Sequence, residues 1–137
     1  INYEKKLKLD NLTTWASFEL KINLLKEELN KLLKNLKKGG KSIAGFGAPA
    51  KATTLMYHFN LGSDIIDFIV DDAPLKQGLF SPGLHVPVLP SKALYKEKPD
   101  YVILLAWNFT EHIISNHKSY LDSGGHFIQP LPNIRIY

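Results

Sequence analysis

The chain has 137 residues, of which 45% are hydrophobic and 22% charged, a balance typical of one globular domain. The absence of cysteine excludes disulfides and thiolate metal sites. No apolar run approaches the roughly 20 residues of a membrane span, and the N-terminal INYEKKLKLD lacks the apolar stretch of a signal peptide. The net charge is +4, but aromatic residues are not interleaved with the basic runs. We therefore expect a cytoplasmic protein that binds neither nucleic acid nor membranes.

The first predicted element is one long helix at residues 14–38, which Thr13 or Thr14 would cap and Gly39 and Gly40 would end. Its apolar residues recur at helical spacing and predict a face that packs on the core or docks against a neighbouring domain or subunit. They are Trp15, Phe18, Ile22, Leu25, Leu29, Leu32, Leu33 and Leu36.

Strands and helices alternate after this helix. Strands are predicted at residues 42–46, 64–70, 86–89, 101–107 and 126–129, with a candidate last strand at 134–137. Helices are predicted at 49–59, at a short segment capped by Ser91, and at 108–121. This alternation predicts an α/β fold with three layers and a mostly parallel sheet. Residues 1–137 would form a single domain, with a leading helix at 1–38 and the alternating elements at 41–137.

A glycine-rich turn, GFGAPAK, joins the first strand to the helix that Pro49 opens. Glycine permits a tight turn, and the free N–H groups of a helix start attract phosphate, so this context is typical of Rossmann-like nucleotide-binding folds. Lys51 could add a positive charge. However, Ala50 stands where a third glycine is expected. The glycines could therefore serve only the turn and helix–sheet packing.

Two further candidates follow the second strand. Asp71 and Asp72 lie about where such folds place an acidic residue that binds ribose hydroxyls, although a turn-forming Asp-Asp-Ala-Pro in solvent explains them equally well. The loop from Lys76 to His85 lies at the carboxyl edge of the predicted sheet, where ligands bind in open α/β folds. Lys76 and His85 are possible anion contacts, and an ordinary surface loop is the alternative.

The last candidates, Trp107 and Asn108, end the apolar run YVILLAW, with Glu111 and His112 one turn further on. Asn108 is a good helix cap, which is sufficient to explain it. Catalytic motifs are not found. The five histidines lack metal-ligand spacing, and no G-x-S-x-G occurs.

Four sequence blocks together resemble the C-terminal domain of S-adenosylmethionine-dependent sugar C-methyltransferases. In order, they are GFGAPAKATTLMYHF, IVDDAPLKQGLFSPGLHVPVLP, KPDYVILLAWNF and GGHFIQPLP. The resemblance covers nearly the whole chain. It implies a Rossmann-like domain that binds a nucleotide sugar and belongs to a larger enzyme.

The resemblance also implies which residues bind the substrate. The family's glycine turn, its D-x-x-x-x-K-Q-G block, its proline–glycine pair and its tryptophan–asparagine pair carry over onto this sequence. The matching residues are Gly45, Gly47, Ala48, Lys51, Asp71 (or Asp72), Lys76, Gln77, Gly78, Pro82, Gly83, Trp107 and Asn108. Lys51 and the helix N-terminus would hold the diphosphate, and Asn108 would orient the ligand. Two departures, Phe46 for tyrosine and Ala52 for glycine, could alter which sugar nucleotide fits.

The rest of the family's machinery is implied to lie upstream, outside this chain. It comprises a zinc-binding part, the domain that binds the cofactor S-adenosylmethionine, and a catalytic base that removes the proton next to a sugar ketone, so that the carbanion takes the methyl group. No catalytic residue, metal or bound cofactor is expected within residues 1–137. The expected partners are a nucleotide sugar and these upstream domains. Two alternatives remain open: a stand-alone nucleotide-binding or regulatory module, as on sugar acyltransferases, and a structural or oligomerisation scaffold without a ligand.

Overall fold

Six strands form one sheet in a computed structural model that describes residues 2–137. They are β1 (Ile43–Phe46), β2 (Ile69–Asp71), β3 (Val88–Pro90), β4 (Tyr101–Leu104), β5 (His126–Gln129) and β6 (Arg135–Ile136). Their order is β3-β2-β1-β4-β5-β6; β1 to β5 are parallel, and β6 is antiparallel to β5. The predicted α/β fold with a mostly parallel sheet is therefore confirmed.

Within residues 2–137, six helices and two 3₁₀ turns accompany the strands. The helices are α1 (Asn2–Lys6), α2 (Leu12–Lys38), α3 (Ala50–Phe59), α4 (Ala93–Glu97), α5 (Thr110–Asn116) and α6 (Lys118–Asp122), and the 3₁₀ turns are Pro74–Lys76 and Trp107–Phe109. Helix α1 lies within the segment predicted as a leading helix at 1–38, and residues 7–11 separate it from α2. Among residues 2–137, no helix is both long and apolar enough to cross a membrane.

Two apolar layers lie on the two faces of the sheet because side chains along a strand alternate between faces. In and after β4, Ile103 and Leu105 contact the layer beneath α2 and α3, whereas Val102 and Leu104 contact the layer beneath α4, α5 and α6. The central strands are buried on both faces. This explains the continuous apolar run in the sequence.

Helix α2 packs on the sheet over only part of its length. Leu29 and Leu33 are fully buried, whereas 49% of Trp15 and 57% of Phe18 are exposed. Of the two predicted roles of the apolar stripe, packing on the core is thus wrong at Trp15 and Phe18, and docking against a neighbour stays a prediction there. The reason is geometric, because a helix of 27 residues is about 40 Å long and four-residue strands are much shorter.

The start of α2 also differs from the prediction. The helix begins after Asn11, whose side-chain oxygen accepts a hydrogen bond of 2.9 Å from the Thr13 backbone N–H. Asparagine is a strong N-cap residue, and here it caps the helix two residues before Thr13, so the predicted cap at Thr13 or Thr14 is wrong.

Two predicted strands are shorter in the structure by three or four residues, and a third is displaced. Residues 63–65 form a turn in which the Ile65 and Ile66 N–H groups both donate to the Gly62 carbonyl, so β2 begins only at Ile69. The run 101–107 leaves strand geometry after Leu104 because the next two N–H groups both bond the Phe46 carbonyl. The predicted strand at 86–89 lies instead at Val88–Pro90. In each case buried apolar residues continue beyond the strand.

The predicted helix at 108–121 is two helices, α5 and α6, that meet at His117. The cap positions of α4 and α5 are Lys92 and Phe109, and neither helix has a side-chain capping bond. Ser91 instead donates its hydroxyl to Asp72. Capping was therefore a wrong interpretation of both Ser91 and Asn108.

Candidate functional site

The strand order reverses between β1 and β4, which creates a crevice at the carboxyl edge of the sheet. This switch-point crevice has a volume of about 270 Å³. Its lining includes Gly47, Asp71, Asp72, Ala106, Phe109 and His112. The turns after β1, β2 and β4 all meet here, so residues that are far apart in the sequence become neighbours.

The two glycines of the first turn are explained by close packing. Gly47 has a φ of +87°, and a Cβ at this position would lie 2.7 Å from the Cβ of Ala106. A Cβ at Gly45 would lie 2.9 Å from Leu105 Cδ1. The turn after β4 thus approaches the glycine turn so closely that a side chain at either position would collide with it.

Asp71 joins the turns after β1 and β2. Its Oδ2 accepts hydrogen bonds from the Ala48 N–H at 2.6 Å and from Lys76 Nζ at 3.2 Å, and its Oδ1 accepts one from the Ala73 N–H at 2.8 Å. Only 7% of the residue is exposed. Burial by itself would raise the pKa of Asp71, but these donors outweigh burial and hold its pKa below the ordinary value.

This network gives Asp71 a different setting from either predicted one. Both oxygens of the carboxylate already accept hydrogen bonds from the chain, so Asp71 links two loops internally. This setting is neither that of a residue that binds ribose nor that of a turn in solvent. Asp72 is exposed and accepts a hydrogen bond from Ser91.

The predicted residues of the loop after β2 do not line the crevice, although Lys76 bonds Asp71 at its margin. Lys76 and Pro82 line a separate cavity of about 180 Å³ between this loop and α3. Gly83 lies against Tyr57, whose hydroxyl occupies the space of any Cβ. Gly78 has a φ of +82°, and no atom lies within 4 Å of the position where its Cβ would be. A turn therefore requires Gly78, and packing requires Gly83.

Trp107 follows β4 and lies next to the crevice, where it lines three other cavities. Lys51 Nζ lies 4.5 Å from the centroid of the Trp107 ring and 5.9 Å from that of Phe109. A cation over an aromatic face is attracted by its quadrupole. The structure therefore brings the predicted residues Lys51 and Trp107 together, from α3 and the turn after β4.

Three cavities meet at Trp107. The polar cavity, about 390 Å³, is also lined by Asn108, Glu111, His112, Gln129, Arg135 and Tyr137. The apolar cavity, about 500 Å³, is lined by Phe18, Ile22, Leu25, Leu131, Pro132 and Asn108. The third, about 320 Å³, lies between α2 and α3 and includes Lys51. One indole thus separates a polar compartment from two apolar ones.

Arg135 was missed by the sequence analysis. It is the only arginine in the chain, and the antiparallel pairing of β6 places it opposite Gln129 at the carboxyl end of β5. The sequence did offer one signal for a special role of Arg135, because it is a single arginine among many lysines. Its position could not be predicted, because that depends on the register of a two-residue strand.

The predicted site residues therefore fall into three groups. The first, Gly45, Gly47, Ala48, Asp71, Lys76 and Gln77, forms the packed network around the glycine turn. The second, Lys51, Trp107 and Asn108, surrounds the cavities at Trp107. The third, Gly78, Pro82 and Gly83, shapes the loop after β2.

Comparison with known proteins identifies the family. A family model described as the C-methyltransferase C-terminal domain matches residues 1–132. The chain is 36% identical over 122 residues to C-methyltransferase NovU of Streptomyces niveus. That alignment covers 89% of this chain and 29% of NovU, so the chain spans less than a third of this relative's length. These matches confirm the resemblance seen in the sequence blocks: the chain belongs to the C-methyltransferase C-terminal domain family.

Proposed function

We propose that this chain is the nucleotide-sugar-binding part of a C-methyltransferase that acts on a deoxysugar nucleotide. The arrangement around Trp107 is the observation that supports this most directly. An indole at the carboxyl edge of the sheet bears a lysine cation and borders both polar and apolar cavities. A nucleotide sugar has a matching combination of groups: a flat base that stacks on aromatic rings, a charged diphosphate and a deoxysugar that is less polar than an ordinary sugar.

In this proposal, each residue of the second group has a binding role. Lys51 contacts the diphosphate, Trp107 packs against the base or the sugar ring, and Asn108 orients the ligand through its exposed amide. The packed network around Asp71 holds the glycine turn in place beside them. The contribution of this chain is therefore to bind and orient the substrate.

S-adenosylmethionine would supply the methyl group in the intact enzyme. The residues of this chain do not fit it well, since the acidic residue at the end of β2 that would bind the ribose of its adenosine is Asp71, and both Asp71 oxygens already accept bonds from the chain. We therefore assign the methyl donor, and the reacting groups around it, to the parts of a longer chain that correspond to the rest of NovU.

Those upstream parts are the proposed protein partners. The exposed Trp15 and Phe18 of α2 support this, since they form an apolar surface next to the apolar cavity. A surface of this kind on a helix that extends past its own sheet is typical of a contact with another domain.

Calorimetric titration with thymidine diphosphate tests the proposal. We expect saturable binding that the Lys51→Ala variant weakens about tenfold, because a hydrogen bond to a charged group contributes about 1.5 kcal/mol or more. Lys34→Ala, an exposed lysine on α2, is the matched control and should leave binding unchanged. Absence of binding by the unmodified chain would contradict the proposal and favour a scaffold. Equal binding by Lys51→Ala would exclude Lys51 from the site.

A further inference from the structure

Arg135 lies at the edge of the sheet where the ligand is proposed to bind. Strand β6 runs antiparallel to β5, so its first residue pairs with the last residue of β5, Gln129. The chain therefore returns its only arginine to the carboxyl edge. There, Arg135 lines the polar cavity together with Trp107.

The guanidinium of Arg135 has no hydrogen-bond or ion-pair partner within residues 2–137. The neighbouring Gln129, by contrast, makes a hydrogen bond within the chain at each end of its amide. Its amide nitrogen donates to the Leu131 carbonyl at 2.6 Å, and its oxygen accepts from the Tyr137 hydroxyl at 2.9 Å. The wall of the cavity is thus fixed by internal bonds, and the cation beside it keeps all its donors available.

Most cations that contact an acidic residue in this structure hold elements of the fold together. Lys37 is paired with Asp67, Lys41 with Asp100 and Lys76 with Asp71, at 2.7 to 3.2 Å. Arg135 differs from them in chemistry as well as in setting, because the planar guanidinium presents five donors in a fork that matches two phosphate oxygens at once.

We propose that Arg135 binds a phosphate group of the nucleoside diphosphate in the polar cavity. This inference rests on the proposed function and names a contact that the sequence motifs do not include. A diphosphate has two anionic groups. Arg135 lines the polar cavity and Lys51 lines the cavity between α2 and α3, and a further lysine, Lys21, lines the apolar cavity. Glu111, which also lines the polar cavity, opposes the anion and limits its affinity.

Nuclear magnetic resonance tests the inference directly, because a chain with one arginine gives one Arg Nε–H signal. We would titrate ¹⁵N-labelled protein with inorganic pyrophosphate, with thymidine diphosphate and with thymidine. The inference predicts that pyrophosphate and thymidine diphosphate shift this signal in a saturable way, whereas thymidine does not. A signal that pyrophosphate leaves in place would overturn it.

Variants add a second, independent measurement. Arg135→Gln should raise the dissociation constant for pyrophosphate about tenfold, and Arg135→Lys, which keeps the charge but loses the fork, should be intermediate. Glu111→Gln should lower the dissociation constant for pyrophosphate, because it removes the opposing negative charge. Lys34→Gln removes the same charge elsewhere and should have little effect. Equal loss of binding in Lys34→Gln and Arg135→Gln would show that only net charge matters, and would overturn the inference.

The three probes separate this inference from the proposed function. If pyrophosphate moves the Arg135 signal but thymidine diphosphate binds no more tightly than pyrophosphate, the site takes free phosphate and the nucleotide proposal fails. If thymidine diphosphate binds while the Arg135 signal stays in place, nucleotide binding holds and the Arg135 contact is wrong.

Discussion

The two edges of the sheet differ in how far their polar residues are paired within the chain. At the amino edge, Asp67 accepts hydrogen bonds from the Ile43 N–H and Lys37, and Asp100 accepts them from the Ser42 N–H, the Ser42 hydroxyl and Lys41. At the carboxyl edge, the side chains of Asn108, Glu111 and Arg135 have no partner within residues 2–137.

This difference suggests separate roles for the polar residues, some in stability and others in binding. Polar groups that are paired within the chain hold its elements together, and polar groups that line a cavity without partners are available to a ligand. Asp71 is informative because it lies at the carboxyl edge but belongs to the first kind. Position at the carboxyl edge alone is therefore insufficient to assign a binding role.

The largest expected effect on stability is at the glycine turn. Gly47→Ala should reduce the free energy of unfolding by about 2–4 kcal/mol, since it combines a positive φ with a clash against Ala106. Gly78→Ala is the control, because its φ is also positive but its surroundings are open, and it should cost only about 1 kcal/mol. Urea denaturation measures both. Equal losses would show that close approach at Gly47 is unimportant.

The next largest effect is expected at Asp71. Asp71→Ala leaves the Ala48 and Ala73 N–H groups without their acceptor and should cost about 2–3 kcal/mol at pH 7. Asp72→Ala, at an exposed position, should stay within about 0.5 kcal/mol. Because folding lowers the pKa of Asp71, its contribution should be complete above the ordinary value of 3.8 and decline as the pH falls below it. A loss that does not change with pH would contradict the role assigned to its charge.

At the amino edge, Asp100→Ala should cost about 1–2 kcal/mol at pH 7, since the Ser42 N–H loses its acceptor. Bonds from Lys41 and Ser42 lower the pKa of Asp100 to about 2. The difference from the unmodified protein should therefore shrink as the pH falls from 3.8 towards about 2. Urea midpoints across this pH range measure the effect, and thymidine diphosphate binding at pH 7 should stay unchanged. Weaker binding in the Asp100→Ala variant would contradict the assignment of the amino edge to stability alone.

The smallest effects on stability are expected at the open positions of the carboxyl edge. Asn108→Ala should change the free energy of unfolding by less than about 0.5 kcal/mol, because its exposed side chain has no partner in the chain. The same variant should weaken thymidine diphosphate binding by roughly three- to tenfold. Calorimetry and urea denaturation on one preparation provide both values. A destabilised protein with unchanged affinity would show that Asn108 contributes to stability and not to binding.

The sequence predicts the fold well and the site only in part. Alternating periodicity and the glycine turn are local signals, and they identify the order of elements and the carboxyl-edge loops correctly. The end of β4 at Leu104 depends on where two N–H groups find the Phe46 carbonyl, which an apolar run does not reveal. The internal bonds of Asp71 and the return of Arg135 to the edge depend on contacts between distant segments. Only these contacts distinguish a residue that is bonded within the chain, such as Asp71, from a residue that is available to a ligand, such as Arg135.

The most direct test of the account is a map of amide and indole shifts on titration with thymidine diphosphate. The chain has two tryptophans, Trp107 at the carboxyl edge and Trp15 on the exposed part of α2, so their indole N–H signals form an internal comparison. The account predicts saturable shifts of the Trp107 indole and the Gly47 amide, with the Trp15 indole and the Ser42 amide unmoved. Shifts confined to Ser42 and the amino edge, or no saturable shift at Trp107, would contradict it.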